Sequence, residues 1–197
     1  MYTDSVTKVK AIIFDCFGVL TSARWHAFLD SLPDGVDIEA ARAVHRAYDA
    51  GIISKEVNAS QIEEITGHSY AEIDDISSEE IVKNSLLLEY IRELKDRGYK
   101  IGLLSNIASN WIRDSFLADQ EQALFDVMIM SFETGIIKPD PRMFEMVCEK
   151  LDVLPEEAIM VDDIDRYCAA AEAVGMQAVI YRDFKQAKQQ IEEQIAG

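Results

Sequence analysis

Four polar points in this chain carry side chains suited to handling an anion: Asp15, the pair Ser105-Asn106, Lys138 and the pair Asp162-Asp163. Asp15 closes the unbroken apolar run Ala11-Ile12-Ile13-Phe14, the pattern of a strand covered on both faces. A carboxylate is costly inside a core, so Asp15 is expected where the strand emerges into a crevice, with Gly18 turning the chain away. Ser105-Asn106 closes a second apolar run, Ile101 to Leu104, and Asp162-Asp163 closes another, Ala158 to Val161. Lys138 lies in Gly135-Ile136-Ile137-Lys138-Pro139-Asp140-Pro141, where each proline bars helix at the residue before it. The chemistry on offer is a carboxylate, a hydroxyl and amide, and a lysine charge at strand ends, with two adjacent acids that repel unless a cation lies between them. Carboxylate oxygens with few other ligands suit magnesium, which keeps several waters. Plainer readings are a helix cap for Asp15, a cap beside a solvated acid for Asp162-Asp163, and a salt bridge for Lys138.

These points meet only if the strands run the same way. From Leu86 onward apolar runs alternate with helical periodicity: a helix through Leu87, Ile91 and Leu94 ending at Gly98, a helix around Trp111 to Leu117, a strand from Phe125 to Met130, and a helix from Pro141 through Val147. An alanine-rich helix from Tyr167 to Val174, a strand from Gln177 to Tyr181 and a polar final helix complete the series. Alternation of this kind predicts an α/β fold, a parallel Rossmann-like sheet with helices on both faces and right-handed crossovers, so that the strand ends share one rim. Between the first and second strands the pattern is helical throughout. Trp25, Phe28 and Leu29 share a helix face, Pro33-Asp34-Gly35 turns, and a helix runs from Asp37 to near Gly51. Capping boxes are expected at Ser60 with Glu63, Ser69 with Glu72, and Ser77 with Glu80. The expected organisation is an α/β core of residues 1–20 and 85–197 and a small helical cap of residues 21–84. In that cap Arg24, Trp25, Arg42 and Arg46 read as solvated or packed helix faces.

The chain has 197 residues, 49% hydrophobic and 28% charged, with a formal net charge of −17. Such an acidic surface repels phosphate backbones and anionic lipid, so neither nucleic acid nor a membrane is an expected partner. An anionic small substrate would need local positive charge from a lysine or a metal. No leader-like apolar segment opens the chain, which reads as cytoplasmic. Cys16, Cys148 and Cys168 have no paired spacing and read as reduced fillers, and His26, His45 and His68 have no ligand spacing.

These stretches resemble, in order, the four motifs of the haloacid dehalogenase-like hydrolase superfamily, over essentially the whole chain. The wording SNIASN, GIIKPDPRMFE and VDDIDRYCAAAEAVGM looks most like the branch of sugar-phosphate phosphatases and of the phosphatase domain attached to some epoxide hydrolases, and Ala50-Gly51-Ile52-Ile53-Ser54 resembles a cap turn of that branch. The resemblance implies a magnesium-dependent hydrolase of a small phosphorylated metabolite, acting through an aspartyl phosphate. In it Asp15 is the nucleophile, Ser105, the Asn106 backbone N–H and Lys138 hold the phosphate, and Asp15, the Phe17 carbonyl, Asp162 and Asp163 surround the metal. The chain departs from the family twice. Phe17 stands where phosphatases usually carry a second aspartate as general acid and base, a loss of about 10²–10⁴ in rate unless Glu133, Asp165, a cap residue or a metal-bound water replaces it. Tyr167 stands where relatives of the branch often have asparagine. A 2-haloacid dehalogenase, whose nucleophile motif also has an aromatic residue there, and a non-catalytic phosphate- or protein-binding relative are the alternative readings.

Overall fold

The computed structural model describes residues 8–69 and 82–197. Five strands, β1 (Ala11–Phe14), β2 (Lys100–Ser105), β3 (Val127–Met130), β4 (Ala158–Asp162) and β5 (Gln177–Ile180), form one parallel sheet in the order β3-β2-β1-β4-β5. All four β1 residues are buried. Phe14 is in register with Leu103 on one side and Val161 on the other, so the chain after β1 leaves the sheet level with the ends of β2 and β4.

Seven helices of eight or more residues accompany the strands among the described residues: α1 (Arg24–Ser31), α2 (Ile38–Asp49), α3 (Lys55–Thr66), α4 (Ser85–Asp96), α5 (Pro141–Leu151), α6 (Asp165–Ala173) and α7 (Phe184–Ala196). Successive strand side chains point to opposite faces, and each face has its own apolar layer. Ile12, Phe14, Leu103 and Val161 pack with Leu87 and Ile91 of α4 and Ile191 of α7. Ala11, Ile13, Leu104 and Met160 pack with Phe144 and Val147 of α5 and Ala171 of α6. The strands read as continuous apolar runs because helices cover both sides.

Helices α1 to α3 stand outside these layers and bury Phe28, Leu29, Ala41 and Ile62 among themselves. The Asp37 side chain caps α2 by accepting from the Ala40 N–H at 2.9 Å. Helix α3 is capped by Ser54, which accepts from the Val57 N–H at 3.3 Å. The capping box expected at Ser60 therefore does not form: the chain is already helical by Lys55, which leaves Ser60 inside α3. Of the other two boxes, Glu72, Ser77 and Glu80 lie outside the described residues. One hydroxyl joins these helices to the sheet. Ser131, the residue after β3, donates to the Asp49 carbonyl at 2.6 Å and accepts from the Ile107 N–H at 2.9 Å.

Three local expectations shift. Trp111 to Leu117 forms a single π-helical turn at Ile112–Phe116 instead of an α-helix. The segment expected to be extended from Gly135 to Pro141 begins with left-handed Gly135, φ 69°, and turns at Lys138-Pro139. Strand β4 runs one residue further than expected, and that residue is Asp162.

Because β1 is the central strand, truncating it opens a cavity that its neighbours cannot fill. Ile13→Ala is expected to lower unfolding free energy by about 2–5 kcal/mol. Ile52, 75% exposed, is the control, with Ile52→Ala staying within about 0.5 kcal/mol of wild type by urea unfolding.

Candidate active site

The Lys138 side chain is 0% exposed. Its ammonium donates to Asp162 Oδ2 at 2.6 Å, lies 3.0 Å from Asp15 Oδ1, and sits 5.1 Å from the centre of the Tyr167 ring. A buried cation is tolerated only with such partners. Burial alone would lower the Lys138 pKa, but the two carboxylates outweigh it and raise it, so the ammonium stays charged at neutral pH. Asn106 holds the lysine's backbone: its Oδ1 accepts from the Lys138 N–H at 2.8 Å and its Nδ2 donates to the Lys138 carbonyl at 3.0 Å. The same Nδ2 donates to Tyr167 Oη at 3.3 Å. Tyr167, the departure from the branch pattern, thus completes the wall around Lys138.

Asp15 is held by the Cys16 N–H at 2.7 Å and by Lys138, both on Oδ1, and no partner of Oδ2 is seen among the described residues. Burial raises its pKa to about 7 against the opposing pull of Lys138, and the Asp162 charge adds to the rise. Asp162 has both oxygens engaged, Oδ2 by Lys138 and Oδ1 by the Ile164 N–H at 2.9 Å. Being the last residue of β4, it stays level with the sheet and reaches the lysine. Asp163 lies beyond the strand, and burial, then the Asp162 charge, raises its pKa. Asp163 Oδ1 and Ser105 Oγ are buried with no partner among the described residues.

Whether a cation fits here turns on those carboxylates. Asp15, Asp162 and Asp163 each offer an oxygen within 4.8 Å of the others, and Lys138 neutralises only part of their charge. Gly18 keeps the space open: a Cβ there would lie 2.2 Å from Asp163 Oδ2, at a left-handed φ of 85°. An all-oxygen set with an orphaned oxygen fits a hard divalent ion.

A cavity of about 420 Å³ separates this rim from α1 and α2. Phe17 forms part of its wall, its ring stacked on Trp111 with centroids 5.9 Å apart. From the helical side come Trp25 and His45, stacked 4.0 Å apart, together with Arg42, Arg46 and Asp49. Trp25 packs against Phe28 as a helix-face residue, in keeping with the solvated-or-packed reading, and Trp25, Arg42 and Arg46 also line the crevice, which that reading did not foresee. Helical periodicity groups them on a face but says nothing of what that face meets. For Arg24 only the backbone is described. Sequence reasoning also passed over His45, Asp49 and Trp111 as site residues, since no motif marks them. Of the substitutes considered for the missing acid, Glu133 is tied to Arg113 at 2.7 Å and Asp165 to Arg182 at 2.5 Å.

A model of the haloacid dehalogenase-like hydrolases matches residues 9–175. The chain belongs to this family. It is 29% identical over 192 residues to mouse (Mus musculus) acyl-CoA dehydrogenase family member 10, covering 86% of this chain and 18% of that protein. It is 32% identical over 108 residues to pyrophosphatase PpaX of Bacillus cereus, covering 54% of this chain and 50% of that one. The matches thus span half or less of these relatives' own lengths. Among solved structures it is similar to the family enzyme BT-2542 of Bacteroides thetaiotaomicron, crystallised as a variant with magnesium and inorganic phosphate. That likeness has a TM-score of 0.66 at 23% identity, over 88% of this chain and 94% of the other. As a haloacid dehalogenase-like hydrolase the chain has the parallel sheet its sequence predicts, and no described helix is long and apolar enough to cross a membrane.

The helical side of the crevice carries an electrostatic load. Burial raises the Asp49 carboxyl to about 7 from an ordinary 3.8. His45 Nε2 lies 3.8 Å away, but burial and then the charge of His26 lower His45 to about 4, so it brings no positive charge at neutral pH. An acid whose pKa rises on folding opposes folding once the unfolded chain ionises. The penalty is absent below about pH 4, grows to about pH 7 and is then constant. Asp49→Asn is accordingly expected to raise the thermal midpoint at pH 8, with the gain shrinking to nothing as the pH falls to about 4.

Proposed function

We propose that the protein is a magnesium-dependent phosphomonoester hydrolase of a small phosphorylated metabolite, with Asp15 as nucleophile and α1 to α3 as the cap that selects the substrate. The observation that carries this reading is the pairing of a free Asp15 Oδ2 with a fully buried ammonium and an orphaned Ser105 hydroxyl at the same sheet edge. A carboxylate and a phosphate repel, and Lys138 sets a fixed positive charge beside both, buried where solvent screens it little. The Ser105 hydroxyl and the Asn106 backbone N–H are donors for the phosphate oxygens. Asp15 Oδ2 attacks phosphorus, the bond to the leaving oxygen breaks, and a water then hydrolyses the aspartyl phosphate, splitting one hard step into two.

Asp15, the Phe17 carbonyl and Asp163 would hold magnesium, with Asp162, which Lys138 engages, beside them. The bound ion would supply further neutralisation of nucleophile and phosphate. That PpaX is a pyrophosphatase and that BT-2542 binds magnesium and inorganic phosphate support the same chemistry. Sugar phosphates are the first substrates to try, from the branch the motif wording resembles.

Phosphate release should require magnesium, stop on chelation, and fall to background in Asp15→Asn while its circular dichroism stays that of wild type. An Asp15→Asn variant that still turns over, or halide release from a 2-haloacid without metal, would contradict the proposal.

A further inference from the structure

Phe17 leaves the reaction without the usual proton donor for the departing oxygen, and the crevice holds one candidate in an unusual setting. Among the described residues, two carboxylates line the cavity: Asp15 on the sheet side and Asp49 on the helical side. Asp49 is the last residue of α2, where the helix macrodipole disfavours an anion. Its carboxyl is 16% exposed, it approaches His45, neutral at neutral pH, at 3.8 Å, and no hydrogen bond to it is seen among the described residues. A carboxyl so placed gives the fold nothing and costs it stability, the mark of a group kept for chemistry. Its backbone is nonetheless fixed. Ser131 donates to the Asp49 carbonyl at 2.6 Å and accepts from the N–H of Ile107, the neighbour of Asn106. One hydroxyl thus ties Asp49 to the loop that carries the proposed phosphate donors.

Resting on the phosphatase reading above, we propose that Asp49 is the general acid and base of this enzyme, reaching the leaving-group oxygen from the cap side while Phe17 and Trp111 form the apolar wall beside it. As the bond from phosphorus to the leaving oxygen breaks, the Asp49 carboxyl gives its proton to that oxygen and the alcohol departs, leaving Asp49 ionised. Asp49 then takes a proton from the attacking water. The resulting hydroxyl bonds to phosphorus, the bond to Asp15 breaks, and inorganic phosphate and both carboxyl groups are restored. The raised pKa of Asp49 agrees with a carboxyl that still holds its proton near neutral pH.

Leaving groups provide the test. p-Nitrophenolate departs without a proton, whereas the alkoxide of propyl phosphate does not. In Asp49→Asn, the single-turnover rate of alcohol release from propyl phosphate should fall about 10²–10⁴-fold, and that of p-nitrophenolate release from p-nitrophenyl phosphate by less than about tenfold, with Asp49→Glu recovering part of the loss; hydrolysis of the aspartyl phosphate, common to both substrates, slows equally for both. Equal losses in these two release rates, or none in either, would overturn the assignment; if His26 is the donor, His26→Gln shows the selective loss instead. The wild type needs no variant to be informative: kcat should depend weakly on leaving-group pKa across a series of aryl and alkyl phosphates, and a steep dependence would show that no acid operates. Asp15→Asn separates the two readings. If it abolishes turnover of both substrates while Asp49→Asn shows no selectivity, the Asp49 assignment alone falls, and if the wild type releases phosphate from neither substrate, both fall.

Discussion

The site depends on a lysine placed where a lysine does not belong. Lys138 sits wholly inside the protein, and its charge is sustainable only because Asp15 and Asp162 face it. Removing Lys138 would leave two buried carboxylates without their counter-charge, and breaking a buried pair in this way costs about 3–5 kcal/mol. That constraint shapes what surrounds it. Strand β4 extends to Asp162, Asn106 spends its side chain on the lysine's backbone, and Tyr167 turns its ring toward the ammonium. Asp163, one residue past the strand, keeps a free oxygen.

The protein's overall charge makes this local arrangement necessary. With a net charge of −17, the surface would repel the proposed phosphate substrate, which needs positive potential concentrated at the crevice. Lys138 supplies it at the sheet edge, and Arg42 and Arg46 line the opposite side of the same cavity. Stability and chemistry pull against each other at Asp15, Asp163 and Asp49, three carboxyl groups whose pKa values burial raises. The packed layers on both sheet faces are what make such groups affordable.

Much of the fold was legible because burial on both faces leaves a plain trace. The runs Ala11 to Phe14, Ile101 to Leu104 and Ala158 to Val161 carry almost no polar residue, and parallel pairing then puts Asp15, Ser105 and Asp162-Asp163 at one end. What the sequence concealed lies where distant segments meet. No period in α2 could show that Arg42, Arg46 and Asp49 face a cavity whose other wall begins at Asp15 and ends at Tyr167. Ser60 has the spacing of a cap but Ser54 comes first, after left-handed Gly51, and wins. The π turn at Ile112–Phe116 has ordinary helical composition, and the stack of Trp111 between Phe17 and Phe116 is a tertiary feature that composition does not encode.

Chemistry at Asp15 is the claim on which the functional account stands, and the intermediate can be sought directly. Protein mixed with p-nitrophenyl phosphate and magnesium, quenched in acid within the first turnover and digested, should yield the peptide containing Asp15 heavier by one phosphoryl group, with fragmentation placing it on that residue. Turnover without that modification, or with the phosphoryl group on any other residue, would contradict the account.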